Sequence, residues 1–161
     1  MKILLLTGYA GSGKTTVGKI LHAHLPFSNI TAFADKVKDY VSNKYAIDRY
    51  LCDTQEGKRS IIDAGKTLRQ LLIEYSADHK IETQDPAIWA RYVHEAMKCS
   101  PHIQNWIIHD WRYKEEYEYF RTEGIPITTI RIVHPSIVPL ADESEHQLYY
   151  KLGMELPVCM A

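Results

Sequence analysis

Residues 8–15 read Gly-Tyr-Ala-Gly-Ser-Gly-Lys-Thr, and this stretch constrains the fold more than any other part of the sequence. It fits the P-loop signature, G-x-x-x-x-G followed by Lys and then Ser or Thr. An apolar run over residues 3–6 precedes the motif, as a buried strand would. After the motif, apolar residues recur at helical spacing, at Val17, Ile20, Leu21 and Leu25. The pattern therefore predicts a strand, a tight glycine-rich turn and a helix, in that order.

The residue types of the motif suit a bound phosphate. Glycines let the backbone turn so that successive N–H groups point at phosphate oxygens, and the helix that begins near Gly13 adds its positive end. Lys14 is expected to reach the β- and γ-phosphates of ATP, and the Thr15 hydroxyl to ligate Mg²⁺. The predicted cofactors are therefore ATP and Mg²⁺, and the predicted binding residues are Gly8, Gly11, Ser12, Gly13, Lys14, Thr15 and Thr16.

A second Gly-Lys-Thr occurs at residues 65–67, but it is not expected to form another phosphate loop. Ser60 stands where the first glycine of the motif would have to be, and no apolar strand precedes it. For residues 8–15 the alternative is a glycine-rich turn with a chance lysine, which does not account for the strand and the helix on either side.

The composition fits one globular domain over residues 1–161. The net charge of −1 gives no sign of a surface for nucleic acid, and no apolar run approaches the ~18 residues of a membrane span. Cys52, Cys99 and Cys159 are widely spaced and are interpreted as reduced thiols. The expected location is the cytoplasm, the expected partners are small molecules rather than nucleic acid or membrane, and a homodimer is left open.

Strand patterns alternate with helix patterns along the rest of the chain. Further strands are predicted over residues 29–34, 106–109 and 127–133, with a candidate edge strand at 156–159. Helices are predicted from Asp35, over 61–79, from Asp85-Pro86 and over 113–123, with an irregular stretch at 46–60. This alternation predicts an α/β protein with the three-layer P-loop NTPase fold, a parallel sheet of about four to five strands and helices on both faces. In such sheets, ligands bind past the carboxyl ends of the strands.

Asp110 follows the strand predicted at residues 106–109 and has the form of a Walker B aspartate. A carboxylate there can hold Mg²⁺ directly or through water, together with Thr15. The alternative is an aspartate that only caps the next helix. The predicted metal ligands are Thr15 and Asp110.

Phosphoryl transfer also needs positive charge on the moving group and on an anionic acceptor. Four cations are candidates, of which at least two are expected to be functional, although a surface ion pair explains each one equally well: Lys38, Arg69, Arg112 and Arg131. Asp35, predicted at the end of a strand, has two possible roles besides that of a helix cap. It would be the base for an alcohol acceptor, or it would bond sugar or base if the acceptor is a phosphate.

Weaker signals mark two further candidates. Trp89 would either stack a nucleobase or lie in the core, where an aromatic at helical spacing is more often found. Glu143 lies in an acidic cluster, which fits a solvated turn or part of a lid or substrate loop. His22 and His24 are two apart on a helix and cannot share a metal, so a zinc site is not expected.

Six features, taken in order, resemble the phage and viral deoxynucleoside monophosphate kinases, within the P-loop nucleoside monophosphate kinase fold. The first is the P-loop, and the matches run from residue 3 to about 148. The others are Phe33-Ala34-Asp35-Lys36-Val37-Lys38, similar to Phe-Ala-x-x-Leu-Lys; Gly65 with Arg69; Trp89; Asp110-Trp111-Arg112-Tyr113 with Glu116, similar to Asp-Val-Arg-Phe-Pro-Asn-Glu; and Asp142-Glu143-Ser144-Glu145, similar to His-Glu-Ser-Glu.

The resemblance implies transfer of the ATP γ-phosphate to a deoxynucleoside 5′-monophosphate, giving a diphosphate and ADP. It implies a helical substrate-binding region over about 35–100 and a candidate lid over about 134–150. The implied catalytic residues are Lys14, Asp35, Arg69 and Arg112. The implied substrate-binding residues are Asp35, Lys38, Arg69, Trp89, Asp110, Arg112 and Glu143.

The sequence departs from the family pattern at three places and leaves two other functions open. Lys114-Glu115 replaces Pro-Asn, Asp142 replaces a histidine, and His134 stands where an arginine often precedes Pro135. One alternative is a P-loop kinase for another acceptor, such as a small alcohol or a modified base in DNA, although the near-neutral charge disfavours a strong grip on DNA. The other is a nucleotide-binding regulator without turnover.

Overall fold

The computed structural model of the protein describes residues 1–137. The chain forms two compact units, and the second is inserted in the sequence of the first. Unit 1 comprises Met1–Ala32 and the chain from residue 93 onward, and unit 2 comprises Phe33–Tyr92. The single domain over 1–161 and its substrate-binding region over about 35–100 stay predictions.

Strands and helices alternate along the described chain. In order they are β1 (Lys2–Thr7), α1 (Lys14–His24), β2 (Ser28–Thr31), α2 (Ala34–Tyr45), a 3₁₀ turn (Arg49–Cys52), α3 (Gln55–Arg59), β3 (Ile61–Asp63), β4 (Lys66–Thr67), α4 (Leu68–Glu82), α5 (Ile88–Lys98), β5 (Asn105–Ile108), α6 (Lys114–Thr122) and β6 (Ile127–Arg131). None of these helices is long and apolar enough to span a membrane.

Unit 1 is built on a sheet with the strand order β2-β5-β1-β6, in which every neighbouring pair is parallel. The chain leaves β1 through α1 toward β2, whereas it leaves β5 through α6 toward β6. The two connections therefore run to opposite sides of the β1–β5 pair. This reversal opens a crevice past the carboxyl ends of those two strands, where open α/β sheets bind ligands. The predicted α/β fold with a parallel sheet is confirmed.

The central strand β1 is buried on both faces of the sheet. Leu4 and Leu6 form a core cluster with Ile107, and Val17, Leu21, Leu25, Ile30 and Ile130 pack against it. The alternate residues of β1, Ile3 and Leu5, point to the opposite face and are fully buried as well. Ile20 was expected in the buried stripe of α1 but is 55% exposed. It lies about 100° around the helix from Leu21, outside the face that touches the sheet.

Several predicted boundaries are wrong by a few residues. The second strand ends at Thr31 rather than at residue 34, and Phe33 is the N-cap of α2. Asp35 consequently lies in the first turn of α2, neither at the end of a strand nor at the cap. The last strand of the described chain ends at Arg131 rather than at residue 133.

Unit 2 differs most from its predicted structure. Residues 61–67 form an antiparallel hairpin of β3 and β4, and the helix predicted from residue 61 begins only at Leu68. Ala64 and Gly65 both have positive φ, as a two-residue hairpin turn of type I′ requires, so the second Gly-Lys-Thr is a turn. The stretch 46–60 is not irregular, because Asp48 and Thr54 cap the 3₁₀ turn and α3.

Helix α5 crosses from unit 2 to unit 1 in the sequence, and its start is close to the predicted one. Asp85 Oδ1 accepts a hydrogen bond of 2.9 Å from the backbone N–H of Ala87, just before the helix begins at Ile88. Val93, His94 and Met97 are buried, whereas Ala96 is exposed. Cys52 and Cys99 are free thiols, as predicted. Cys159 and the candidate edge strand at 156–159 lie outside the described residues.

Candidate functional site

The glycine-rich loop connects the end of β1 to the start of α1, as predicted. Gly8, Gly11 and Gly13 have φ values of 147°, 81° and 94°, a region that residues with a side chain rarely adopt. Gly13 is the N-cap of α1 and, being a glycine, makes no side-chain cap hydrogen bond. The first-turn amides, which have no partner inside a helix, thus start at the loop, as an anion-binding helix terminus requires.

Gly8 fits the loop only because it lacks a side chain. A Cβ built on it would overlap the backbone carbonyl oxygen of Ile132 and lie 2.7 Å from Ser12 Oγ. Ile132, just past β6, also donates its N–H to the Thr7 carbonyl at 2.7 Å. The loop is therefore folded tightly against the end of β6, in a cradle that any larger residue would fill.

Ser12 presents a buried hydroxyl inside this cradle. The residue is 5% exposed, and among residues 1–137 its Oγ has no hydrogen-bond partner. Buried polar atoms nearly always have a partner, which in some cases is a ligand or an ion. A phosphate oxygen would satisfy this hydroxyl, so the loop fits the polyanion that the sequence predicts.

Lys14 folds over the loop from the first position of α1. Its Nζ donates hydrogen bonds to the carbonyl oxygens of Gly8 and Tyr9, at 2.6 and 2.7 Å. Two carbonyl dipoles therefore hold the ammonium at the loop. The positive charge is thus in place for the phosphate tail that the motif predicts.

Thr15 and Thr16 are exposed in the first turn of α1. Thr15 Oγ1 lies 3.3 Å from Nδ1 of His109, the residue that follows β5. This contact joins the phosphate loop to the end of the neighbouring strand. Sequence reasoning did not select His109, because its role depends on the pairing of β5 with β1 rather than on a local pattern.

The chain after β5 carries two predicted site residues, Asp110 and Arg112, and Trp111 anchors it. The Trp111 N–H donates to the carbonyl of Leu6 in β1 at 3.2 Å, and its indole Nε1 donates to the carbonyl of Tyr113 at 2.9 Å. Its ring is 2% exposed. Trp111 therefore fixes Asp110 and Arg112 at the same edge of the sheet as the loop.

Glu116 is a functional candidate to which sequence reasoning gave no role. Its carboxylate is 3% exposed and accepts backbone N–H groups of Arg112 at 3.2 Å and Tyr113 at 3.1 Å. This is the N3 half of a capping box on α6, which favours a glutamate. The sequence signal that could have identified this role is a glutamate at the third position of the helix, where a capping box places one. By binding the backbone at Arg112, it fixes where that arginine leaves the sheet.

Unit 1 thus brings the loop residues 8–16 together with residues 109–112 at the carboxyl ends of β1 and β5. Arg131 ends β6 at the same edge, in register with Thr7. Ile137, near the start of the candidate lid, also lies beside the loop. A Cβ built on Gly11 would be 3.5 Å from Ile137 Cδ1. The rest of that lid and Glu143 lie outside the described residues.

A family model described as an AAA domain matches residues 4–133, from β1 to just past β6. The chain belongs to the AAA domain family. This is a P-loop family of the kinase and NTPase type, and its P-loop implies nucleotide binding. No curated protein matches the chain.

In this AAA domain, Asp35 and Lys38 lie in unit 2, in an ion-pair network that sequence reasoning did not predict. Lys38 Nζ contacts Asp35 at 3.5 Å and Asp53 at 2.9 Å. Arg49 donates to the same two carboxylates, at 3.2 and 2.6 Å, and to Asp39 at 2.8 Å. Two cations are therefore shared among three carboxylates.

The network shifts the pKa values of Asp53 and Arg49. Burial by itself would raise the pKa of the Asp53 carboxyl, but the hydrogen bond and charge of Lys38, with those of Arg49, hold that pKa below its ordinary value. Burial by itself would lower the pKa of Arg49, but its hydrogen bond to Asp39 and the charges of the carboxylates raise it. The ion pairs therefore outweigh desolvation at both residues.

Arg69 and Trp89 belong to the same unit as this network, on α4 and α5. Arg69 is half-buried in the first turn of α4, whose start is fixed by a reciprocal capping box of Thr67 and Gln70. The positive end of a helix disfavours a cation at this position.

Trp89 lies in an aromatic cluster of unit 2 and is only 4% exposed. Its ring packs 5.0 Å from the ring of His79 and 6.3 Å from that of Tyr75, and its Nε1 donates to the Ser76 carbonyl at 3.4 Å. Burial raises the pKa of Tyr75 to about 12. Trp89 is thus a core aromatic in this structure. The exposed ring of the cluster is Tyr40, which is 57% exposed and stacks on Tyr75 at 4.5 Å.

Proposed function

We propose that the chain transfers the γ-phosphate of ATP to a deoxynucleoside 5′-monophosphate, with Mg²⁺, and releases a deoxynucleoside diphosphate and ADP. ATP and the monophosphate are its partners in this proposal, and neither nucleic acid nor membrane is needed. Membership of a P-loop family of the kinase and NTPase type supports the phosphoryl-transfer class. The acceptor rests on the six sequence features that resemble the deoxynucleoside monophosphate kinases.

The observation that carries the proposal is the placement of the loop beside residues 109–112. A loop that only bound a nucleotide would need the cradle at Gly8 and the hydroxyl of Ser12. The edge after β5 adds an acidic and a basic residue, Asp110 and Arg112, to the same crevice of the sheet. A carboxylate for a cation and a guanidinium for a phosphate are the groups that phosphoryl transfer requires.

Each group has a distinct task in the proposal. The loop amides and Ser12 bind the phosphate tail, and Lys14 places positive charge on the oxygens where negative charge accumulates. Thr15 and Asp110 have the oxygen donors that Mg²⁺ prefers, and the bound cation would supply charge neutralisation between the phosphates. Arg112, fixed through Glu116, orients the transferred group.

Unit 2 favours a phosphate over an alcohol as the acceptor. Oδ1 of Asp35 lies within 3.5 Å of both Lys38 and Arg49. A base for an alcohol would have to take a proton at a carboxylate already bonded to two cations. In this proposal Arg69, at the start of α4, has the charge to bind the acceptor phosphate instead.

The test is an assay of ADP formation with ATP, Mg²⁺ and each deoxynucleoside monophosphate in turn. We expect turnover with at least one of them, and Lys14→Ala should lower it roughly 100-fold or more, since it removes charge from the reacting phosphates. Lys66→Ala is the matched control. It changes the lysine of the other Gly-Lys-Thr, which pairs with Glu74 at 2.7 Å in unit 2, and should leave turnover unchanged.

Other results would point to the other functions. Turnover with an alcohol or with DNA, but with no monophosphate, would replace the acceptor. Slow hydrolysis that no acceptor stimulates would identify a nucleotide-binding regulator. Equal turnover by Lys14→Ala and the unmodified protein would exclude the loop as the phosphate site.

A further inference from the structure

The contact between α1 and the end of β5 points to a role for His109. We propose that His109 is a positioning residue. Its Nδ1 accepts a hydrogen bond from the Thr15 hydroxyl, which directs the lone pairs of Thr15 Oγ1 toward the divalent cation. This inference rests on the nucleotide- and cation-binding part of the proposed function, and it is independent of the acceptor.

The chemistry of the hydroxyl group makes the direction of this bond matter. A threonine hydroxyl has one donor hydrogen and two acceptor lone pairs. The separation of 3.3 Å between Thr15 Oγ1 and His109 Nδ1 is within hydrogen-bond range. If the hydroxyl donates to Nδ1, both lone pairs stay available to a cation, whereas donation by the ring would use one of them. The proton of the imidazole is then on Nε2.

Two features of unit 1 hold His109 beside α1. Its backbone N–H donates to the carbonyl of Thr31 in β2 at 3.3 Å. A Cβ built on Gly18 of α1 would lie 3.5 Å from the Cβ of His109 and 2.8 Å from Cδ1 of Ile30. Gly18 is three residues after Thr15 and therefore on the same side of α1. The missing side chain at Gly18 lets the end of β5 come close enough for the contact with Thr15.

Partners that orient metal ligands affect metal affinity strongly. Removal of such an outer partner typically weakens metal binding about 10- to 100-fold. A residue that only packs against α1 would instead weaken nucleotide binding equally with and without the cation. The dependence of nucleotide affinity on Mg²⁺ therefore separates the two roles without any measurement of activity.

The test is calorimetric titration of a non-hydrolysable ATP analogue, with Mg²⁺ and with EDTA, on five variants and the unmodified protein. For His109→Ala we expect affinity about tenfold weaker with Mg²⁺ and unchanged with EDTA. His109→Asn keeps an acceptor oxygen and should recover most of the loss. In a Thr15→Ala background, His109→Ala should have no further effect, because its partner is gone. His24→Ala, on the exposed end of α1, is the matched control and should match the unmodified protein.

Three results would overturn the role of His109. The first is equal weakening by His109→Ala with Mg²⁺ and with EDTA, and the second is no weakening in either. The third is full additivity of His109→Ala with Thr15→Ala. If the effect appears but no deoxynucleoside monophosphate is phosphorylated, the role of His109 stands and the proposed acceptor fails. If the unmodified protein does not bind the analogue, the nucleotide site itself is wrong, and this role with it.

Discussion

The phosphate loop of unit 1 and the ion-pair network of unit 2 treat their polar groups in opposite ways. In the loop, three glycines have positive φ, and the buried hydroxyl of Ser12 has no partner among the described residues. In the network, Lys38 and Arg49 are bonded to three carboxylates. We infer that a bound ligand completes the first region, whereas the ion pairs within the second region stabilise it.

This contrast predicts which of the two regions binds a ligand. When a ligand bonds to a buried polar group that has no partner, the new hydrogen bond favours binding. A group that is already paired must first lose its partner, which costs free energy. Nucleotide should therefore bind through the loop, and mutations of the network should act mainly on folding stability. The predictions below test this division from the largest expected effect to the smallest.

Gly8→Ala should weaken nucleotide binding by at least about tenfold. A side chain at this φ costs about 1–2 kcal/mol even before its overlap with Ile132, and about 1.4 kcal/mol is a factor of ten in affinity. Gly65→Ala is the matched control, since Gly65 also has positive φ but no atom of residues 1–137 lies within 4 Å of its would-be Cβ. Calorimetry should show normal nucleotide affinity for the control, with a small loss of stability. Equal affinity losses in both variants would break the comparison.

Arg49→Met should lower the free energy of unfolding by about 1–2 kcal/mol, because it removes three partly exposed ion pairs that are worth roughly 0.2–1 kcal/mol each. The loss should shrink at high salt, and nucleotide affinity should be unchanged. Urea unfolding at two salt concentrations measures the first effect, and calorimetry measures the second. Adding Asp39→Asn should recover part of the loss, since it removes a carboxylate whose ion pair in the network is with Arg49. A drop in nucleotide affinity would mean that the network belongs to the nucleotide site.

The network should also lose stability in acid. Because the pKa of Asp53 is lower in the folded protein than in the unfolded chain, its contribution is complete above the unfolded value of about 4 and disappears as pH falls through the lower folded value. Asp53→Asn should therefore be less stable than the unmodified protein at pH 6, with a gap that closes as the pH falls below about 4. Unfolding curves over this range measure the gap. A gap independent of pH would mean that the carboxylate charge has no part in it.

The smallest expected effect comes from His94, a buried histidine in unit 1. Its side chain is charged when protonated, whereas that of Asp53 is charged when deprotonated. Burial lowers the pKa of His94, whose Nδ1 lies 3.0 Å from the Tyr119 hydroxyl, with Lys98 also lowering it and Glu123 opposing. The unfolded chain then binds more protons, so stability should fall as pH drops below about 6.5 toward the folded value. His94→Gln should flatten this slope in thermal unfolding measured between pH 7 and 5. An unchanged slope would assign it to other groups.

The sequence predicted unit 1 well because its signals are local. The motif at residues 8–15 and the apolar run before it fix β1, the loop and α1 within a few residues of one another. The order of the strands, and with it the contact of His109 with Thr15, depends on pairing between residues about 90 positions apart, which no local pattern encodes.

Unit 2 was predicted less well for a related reason. Its elements are short: the hairpin and α3 are too brief to show a period, and their turns depend on Gly65 and Thr54 rather than on apolar spacing. Arg49 could not be selected, because it lies in the stretch 46–60 that the sequence predicts to be irregular. Two of its carboxylate partners, Asp39 and Asp35, lie ten and fourteen residues before it on α2. Trp89 shows the limit of residue type alone, since a ring at helical spacing fits both a core and a stacking site.

The most direct test of the central claim is a titration of the ¹⁵N-labelled protein with a non-hydrolysable ATP analogue and Mg²⁺, followed by NMR. The account predicts the largest shifts at the backbone amides of residues 8–16, with a further change at His109. Binding without shifts in that loop, or no binding at all, would contradict it.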